Sequence, residues 1–291
     1  MVINGVIQMN IDTYKWEPVS IVISNFNYGC FLESAIYSAC IQKKSSVIIV
    51  DDCSYDNSWQ LIKKNIKKYN YIGIKLKENS KGNARGKNIG ISLSKSEFIT
   101  CLDSDDMLLP DSITNRLSVL LEKEVDFVHG KAVRMHSNDF AINIYNKVGC
   151  YKNHSDAYND IYNKTINNIL IRKLPENNLN WYLGIEASTV LCKKSIYKSV
   201  GLYNEDLKWK IDREMWYRIL LAGNFKKKFI DEHVSVYRSH SFQATKQKDI
   251  KNPLEINKKF KNILNQLENR QYSPKKIQSY NPYDFISDII L

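Results

Sequence analysis

Phe98-Ile99-Thr100-Cys101-Leu102-Asp103-Ser104-Asp105-Asp106 runs from an apolar stretch straight into three carboxylates. The first five residues read as a buried strand, and the acids stand where such a strand leaves the core. Strand side chains alternate, so Asp103 and Asp105 are expected on one side, able to reach one partner together. Oxygen ligands of this kind suit Mg²⁺ or Mn²⁺, with water and a substrate phosphate filling the other positions. The same acids equally suit the start of a helix, because Pro110 and Asp111 open the run 112–121.

Upstream, short β-branched runs alternate with amphipathic ones: 19–24 then 31–41, 47–50 then 58–68, and 72–76 then 83–94. This order predicts an α/β fold with a mostly parallel central sheet flanked by helices. Ligands of such sheets bind beyond the carboxyl ends of the strands. Ser24-Asn25-Phe26-Asn27, Asp51-Asp52 and the acids after Leu102 each follow such an end. Three loops are therefore expected to converge on one cleft.

Downstream, the segment 136–183 is rich in Asn, Tyr and Lys with weak periodicity, and is expected to be a variable cover over the cleft. Regular patterns return as candidate strands 187–192 and 234–237 and candidate helices 194–200 and 212–222. The core is expected to end near residue 241. Beyond it, Asn252-Pro253 and Glu255 mark a helix start, with Ile256, Phe260, Ile263, Leu264 and Leu267 at helical spacing. That apolar face suits either docking on the core or contact with a membrane surface.

With 291 residues, 43% of them hydrophobic, the chain can bury one large domain and is not of disordered composition. Its first fourteen residues lack the pattern of a secretion signal, and no apolar run approaches the roughly eighteen residues of a membrane span. A cytoplasmic protein is expected, with peripheral contact at the inner membrane face open to the basic tail. Six cysteines without a CxxC pair read as free thiols, with neither a zinc site nor a disulfide framework. The net charge of +11 attracts anions of any kind. Between 251 and 277, seven basic residues face two acidic ones, so the C-terminal end reads as a basic helical appendage.

The motifs resemble, in order, those of the inverting glycosyltransferases of family 2, which have the GT-A fold. Val19-Ser-Ile-Val-Ile-Ser24 with Asn25-Phe26-Asn27 is similar to the family's first strand and nucleotide loop. Ile48-Ile-Val-Asp-Asp-Cys-Ser-Tyr-Asp56 resembles "vvDDgStD", and Gly82-Asn-Ala-Arg-Gly-Lys-Asn-Ile-Gly90 resembles "GxxxARNxGi". Residues 98–110 resemble "yixflDsDDxxxp", and Val200-Gly201-Leu-Tyr-Asn-Glu205 with Ile211-Asp212-Arg-Glu-Met-Trp-Tyr-Arg218 resembles "vGgFdE…eDxdlwlR". The likeness spans about 19–240. It implies a nucleotide-sugar-binding half at 19–135 and an acceptor-binding half at 136–241, between an extension (1–18) and the tail (242–291).

The resemblance also implies roles. Ser24, Asn25 and Phe26 would wall the base and ribose, and Asp52 would accept the uracil imide N–H. Asp51 would be structural. Lys87, where the family usually has Arg, would stand near the diphosphate beside Asn88, with Arg85 as a substitute. Asp103, with Ser104 beside it, would hold the ribose or the sugar, while Asp105 would bind a Mn²⁺ or Mg²⁺ cofactor bridging the phosphates. His240 is either a further ligand of the cation or a structural residue. Asp212 would be the general base, although the family's preceding acid is replaced by Ile211 and an ordinary N-terminal acid is the alternative. Trp181, Tyr182 and Glu186 suit a sugar face and its hydroxyls.

The implied partners are a UDP-sugar and a glycan or lipid-linked acceptor, with a homodimer also open and no nucleic acid expected. A sugar-phosphate nucleotidyltransferase would call for a glycine-rich loop where Asn25-Phe26-Asn27-Tyr28 stands. A nucleic-acid-binding module using the Lys-rich tail with Tyr272, Tyr280 and Tyr283 would leave the acidic loops unexplained.

Overall fold

The computed structural model describes residues 11–136, 185–240, 243, 253–269 and 276–291. In chain order the elements are β1 (Val19–Asn25), α1 (Gly29–Cys40), β2 (Ser45–Asp51), α2 (Ser58–Asn65), β3 (Ile72–Leu76), α3 (Ala84–Leu93) and β4 (Phe98–Asp103). There follow β5 (Met107–Leu108), α4 (Ser112–Glu122), β6 (Phe127–His136), β7 (Val190–Lys193), α5 (Ser195–Val200), α6 (Ile211–Ala222), β8 (Lys227–Ser239), α7 (Pro253–Glu268) and β9 (Ile286–Ile290).

Among the described residues these strands form one sheet in the order β5-β8-β6-β7-β4-β1-β2-β3-β9. The expected parallel arrangement covers β3, β2, β1 and β4. Antiparallel pairing by β5, β7 and β9 makes the whole sheet mixed. Strand β1 shows why the parallel part reads as continuous apolar sequence. Ile21 and Ile23 pack on one side with Leu32, Ala35 and Ile36 of α1, while Val22 packs on the other with Ile89 of α3. Helices cover both faces, so neither set of alternating side chains meets water.

The C-terminal end corrects the expectation of an appendage. Phe260 and Ile263 of α7 are buried in the main core, so the helix docks through its apolar face. Beyond it, β9 pairs antiparallel with β3 and finishes the sheet. The core therefore extends past residue 241 to Ile290. A Cβ on Gly73 would stand 2.7 Å from Ile290 Cγ1, which shows how closely β9 is seated.

The five described cysteines are free thiols, and Cys150 lies outside the described residues. Among the described residues no helix is long and apolar enough to cross a membrane. The segment expected as a variable cover lies almost wholly outside the described residues.

Candidate active site

The strand register builds the cleft. Asn25 is level with Asp51, and Ser24 with Asp103, so the polar ends of β1, β2 and β4 stand side by side. Helix α3 lies against β1 because Gly86 has no side chain: a Cβ there would stand 2.2 Å from Ser24 Oγ. That approach brings the next residue, Lys87, over the end of β4.

Lys87 is wholly buried, with Nζ 3.1 Å from Asp103 Oδ1 and 3.0 Å from Asp212 Oδ1. Burial alone would weaken its hold on the proton, but Asp103 and Asp212 more than offset this and keep the ammonium above the ordinary lysine range. Burial raises the Asp103 carboxyl, and Lys87 opposes the rise. Asp212 itself stands in the first turn of α6.

The acids after β4 do not share a side as expected. The strand ends at Asp103, and a turn closed by the Asp106 N–H on the Asp103 carbonyl (2.9 Å) reverses the chain. Asp103 consequently meets Lys87, whereas Asp105 Oδ2 lies 3.1 Å from His240 Nε2. Ser104 is buried within the turn. Arg238, two residues before His240, holds this turn from beneath. Its N–H donates to Asp106 Oδ1 (3.0 Å), and its guanidinium donates to the carbonyls of Asp105 and Asp106 and to Ser34 Oγ. Burial, reinforced by Asp105 and Asp103, pushes the Asp106 carboxyl well above the usual range. The His240 ring packs on Phe31 at a centroid distance of 4.2 Å.

On the β2 side, Asp52 is 2% exposed and grips the loop after β3. It accepts the Ser80 N–H on both oxygens (2.9 and 3.1 Å), with Ser80 Oγ (2.6 Å) and Asn79 Nδ2 (3.1 Å) on Oδ2. Burial pushes its carboxyl up to about 6 against these bonds. Asp51 accepts from Asn25 Nδ2 (2.9 Å) and Ser54 Oγ (2.6 Å), which is the structural work expected of it. Asn25 is itself 1% exposed and gives its carbonyl to the Asp52 N–H, so it organises the pocket wall from behind. Phe26 is the exposed part of that wall, edge-on to Tyr55 at 5.8 Å.

A sequence profile described as "Glycosyl transferase family 2" matches residues 20–181. The chain belongs to this family. It is 27% identical over 229 residues to "Glycosyltransferase GlyG" of Streptococcus pneumoniae, covering 77% of this chain and 72% of that one. It is 34% identical over 113 residues to the Escherichia coli "UDP-Glc:alpha-D-GlcNAc-diphosphoundecaprenol beta-1,3-glucosyltransferase WfaP", covering 38% and 44%. Against the Staphylococcus aureus "Poly(ribitol-phosphate) beta-N-acetylglucosaminyltransferase TarP" the identity is 35%, over 40% and 36%. The chain thus spans less than half the length of two of these three relatives. Among solved structures, S. aureus TarS 1–349 in complex with UDP-GlcNAc superposes with a TM-score of 0.60 at 17% identity, covering 88% of this chain and 73% of that one. The α/β architecture is that of the GT-A glycosyltransferases.

Asn88 and Arg85, which the family 2 pattern also assigns to the nucleotide sugar, have partners within the protein. Asn88 is buried, and its Nδ2 donates to the Tyr203 carbonyl (2.9 Å) and Glu205 Oε1 (3.0 Å), while Oδ1 accepts the Tyr203 N–H (2.8 Å). All of these bonds run to the loop before α6, so the side chain clamps that loop to α3. Arg85 pairs with Glu205 Oε2 (3.1 Å) and lies over the Phe285 ring at 4.7 Å, tying the C-terminal segment to the start of α3. Trp181 and Tyr182 lie outside the described residues. Glu186 is half-buried just before a 3₁₀ turn, with its carbonyl accepting from Thr189.

Sequence reasoning missed Ser80, Arg238 and Glu205. The rule that ligands collect beyond parallel strand ends applies to β3 as to its neighbours, and would have found Ser80. An arginine close to a candidate histidine at an apolar strand end was the signal for Arg238.

Proposed function

We propose that this family 2 glycosyltransferase is a metal-dependent inverting enzyme. It moves a hexose from a UDP-sugar to a hydroxyl of a surface-glycan or lipid-linked acceptor, with Asp212 as general base. The observation that carries the reading is that Asp212 and Asp103 meet at Lys87 in the cleft that also holds Asp105 and His240. One carboxylate thus stands in the first turn of α6, while Asp103 ends β4 and Asp105 stands in the turn after it.

The donor set fits a divalent cation. Asp105 and His240 offer a carboxylate oxygen and an imidazole nitrogen, which suit Mn²⁺ and less well Mg²⁺. Among the described residues no group of three or more His, Cys, Asp or Glu is placed to hold a metal, so phosphate oxygens and water would complete the shell. A cation held there supplies Lewis-acid neutralisation of the departing nucleoside diphosphate. A solved mannosyltransferase from Pyrobaculum calidifontis, in complex with GDP-Man and Mn²⁺, shares the fold at a TM-score of 0.54.

The protein residues do the rest. Asp52 has lone-pair capacity on Oδ1 beyond the Ser80 N–H and suits an imide donor. Phe26 and Tyr55 offer aromatic surface to the base. Asp103 holds the sugar or ribose hydroxyls. Asp212 takes the proton of the acceptor hydroxyl as its oxygen bonds to the anomeric carbon and the bond to the diphosphate oxygen breaks. A UDP-sugar is favoured by the relatives, since one carries UDP-Glc in its name and a fold neighbour is solved with UDP-GlcNAc. The acceptor class follows the same relatives, named for a diphosphoundecaprenol-linked sugar and for poly(ribitol-phosphate).

Scanning fluorimetry with UDP, GDP, TDP and CMP, each with and without Mn²⁺, tests the reading on the wild type and on Asp105→Ala. A melting shift is expected with UDP plus Mn²⁺ and not in the variant. No shift with any nucleotide would overturn the proposal.

A further inference from the structure

The ammonium of Lys87 is 0% exposed and has two carboxylates at hydrogen-bond distance from opposite sides of the cleft. A lysine at this place in the motif was expected to face the diphosphate. To do so here it would have to leave both acids, stranding two like charges in a largely buried site. The geometry gives it different work, and we propose that Lys87 is a positioning residue that aims Asp212. It fixes Oδ1 of Asp212 against the donor strand and leaves Oδ2 to meet the acceptor hydroxyl. The inference rests on the reading of Asp212 as the base.

Three observations support it. Among the described residues the hydrogen bond of the Asp212 side chain is made through Oδ1, to Lys87, and 24% of that side chain is exposed. Such a carboxylate is held at one oxygen while its side chain keeps some exposure among the described residues. Ile211, standing where the family pattern carries an acid, is buried in the core at 2% exposure. It anchors the start of α6 through packing and carries no charge itself, while the cation in direct contact with Asp212 is Lys87 at 3.0 Å. Finally, the adjacent residue on α3, Asn88, binds both backbone groups of Tyr203 in the loop before α6. Consecutive side chains of one helix therefore set the loop and the carboxylate, and α3 fixes where the base stands relative to Asp103. The ammonium lies over the Tyr203 ring, 5.4 Å from its centroid, so the same loop residue that Asn88 holds also faces Lys87.

A neutral residue at 87 would leave Asp103 and Asp212 repelling each other across the gap. A displacement of about 1 Å in a reacting group is enough to cost about a hundredfold in rate. The loss should fall on kcat and operate through Asp212, which separates positioning from simple packing.

The test is a double-mutant cycle of Lys87→Met and Asp212→Asn, read as UDP release from the UDP-sugar that the wild type turns over fastest, at saturating Mn²⁺. UDP affinity by calorimetry and melting temperature are measured alongside. Lys87→Met is expected to lower kcat about a hundredfold while the UDP dissociation constant moves less than about tenfold. The double variant is expected to be no slower than Asp212→Asn alone. Multiplicative losses in the double variant, or wild-type kcat in Lys87→Met, would overturn the inference and leave the base assignment standing. A wild-type rate in Asp212→Asn would instead sink the base assignment, and the inference with it. If Lys87→Met does not fold, Lys87→Gln, of nearly the same length and without the charge, must show the same non-additivity.

Discussion

Nε2 of His240 stands 3.1 Å from Oδ2 of Asp105, although 135 positions separate the two residues in the chain. The contact exists because β5, just after the acidic turn, pairs antiparallel with β8, which ends at Ser239. A pair assembled by sheet topology in this way is poorly suited to tolerate loss of one member. His240→Ala is expected to weaken Mn²⁺-dependent UDP binding about ten- to a hundredfold, the range for groups that orient metal sites. Calorimetric titration of UDP with and without Mn²⁺ checks it. Unchanged Mn²⁺ dependence would remove His240 from the cation site.

Asp52 gives a pH signature. Burial raises its carboxyl from 3.8 to about 6, so the folded state binds this proton more tightly than the unfolded chain does. The associated stability is present in full below about pH 4 and is lost as pH rises through about 6. A shift of this size corresponds to at most about 3 kcal/mol. The stability of the wild type relative to Asp52→Asn should therefore fall between pH 4 and 7 and then level off. Urea denaturation across that range decides it, and a flat difference would contradict the burial argument.

Asn88 is a structural clamp, and truncating it has a calculable cost. Asn88→Ala leaves the Tyr203 N–H and carbonyl without the amide that satisfied them in a buried place. Each unmet buried group costs about 1–3 kcal/mol. A loss of about 2–4 kcal/mol in urea-derived stability is expected. A change under about 0.5 kcal/mol would mean the loop before α6 does not depend on it.

Cys53 occupies the left-handed region at φ 58°, at the position where the family signature carries glycine. A side chain there costs roughly 1–2 kcal/mol, partly recovered by the narrower unfolded ensemble of a non-glycine residue. Cys53→Gly should stabilise the protein by about 0.5–1 kcal/mol, visible as a higher melting temperature. A lower one would show that the thiol packs better than its backbone suggests.

The legible parts of the fold and the illegible ones differ in what their residues touch. Strands β1 to β4 are buried on both faces almost throughout, so the sequence announces them as short apolar runs rich in β-branched residues. Strand β8 is recognisable only at its end, because Lys227, Lys228, Asp231 and Glu232 line its first half where side chains are half-exposed or exposed. Strand β6 is not legible, its pattern broken by Gly130 and Lys131 where its register with β8 shifts. In the cleft, the loops could be placed from sequence because strand ends locate them. The partnership of Lys87 could not, since a lysine in a polar motif reads as a surface or phosphate-facing cation. Its burial depends on Gly86 letting α3 close on β1, and Asp212 arrives from a helix more than a hundred residues later.

Strand β9 shows the same limit and carries the last prediction. Ile286-Ser-Asp-Ile-Ile290 is too short and too mixed to declare a strand by itself, and it becomes one by adding to the free edge of β3. Ile286 is buried, and Ile289 and Ile290 are half-buried against the two sides of the sheet. Deleting residues 286–291 is therefore expected to do more than trim a tail. It uncovers Gly73 and the backbone groups of β3 and removes apolar contacts worth about 1.5–3 kcal/mol for each side chain fully buried. At roughly 2–4 °C per kcal/mol for a chain of this size, the melting temperature should fall by at least about 4 °C. The shortened protein should also associate through the exposed edge, measurable by light scattering as a concentration-dependent increase in mass. A true appendage would leave both readings at their wild-type values. That result would show that the sheet ends at β3 in solution.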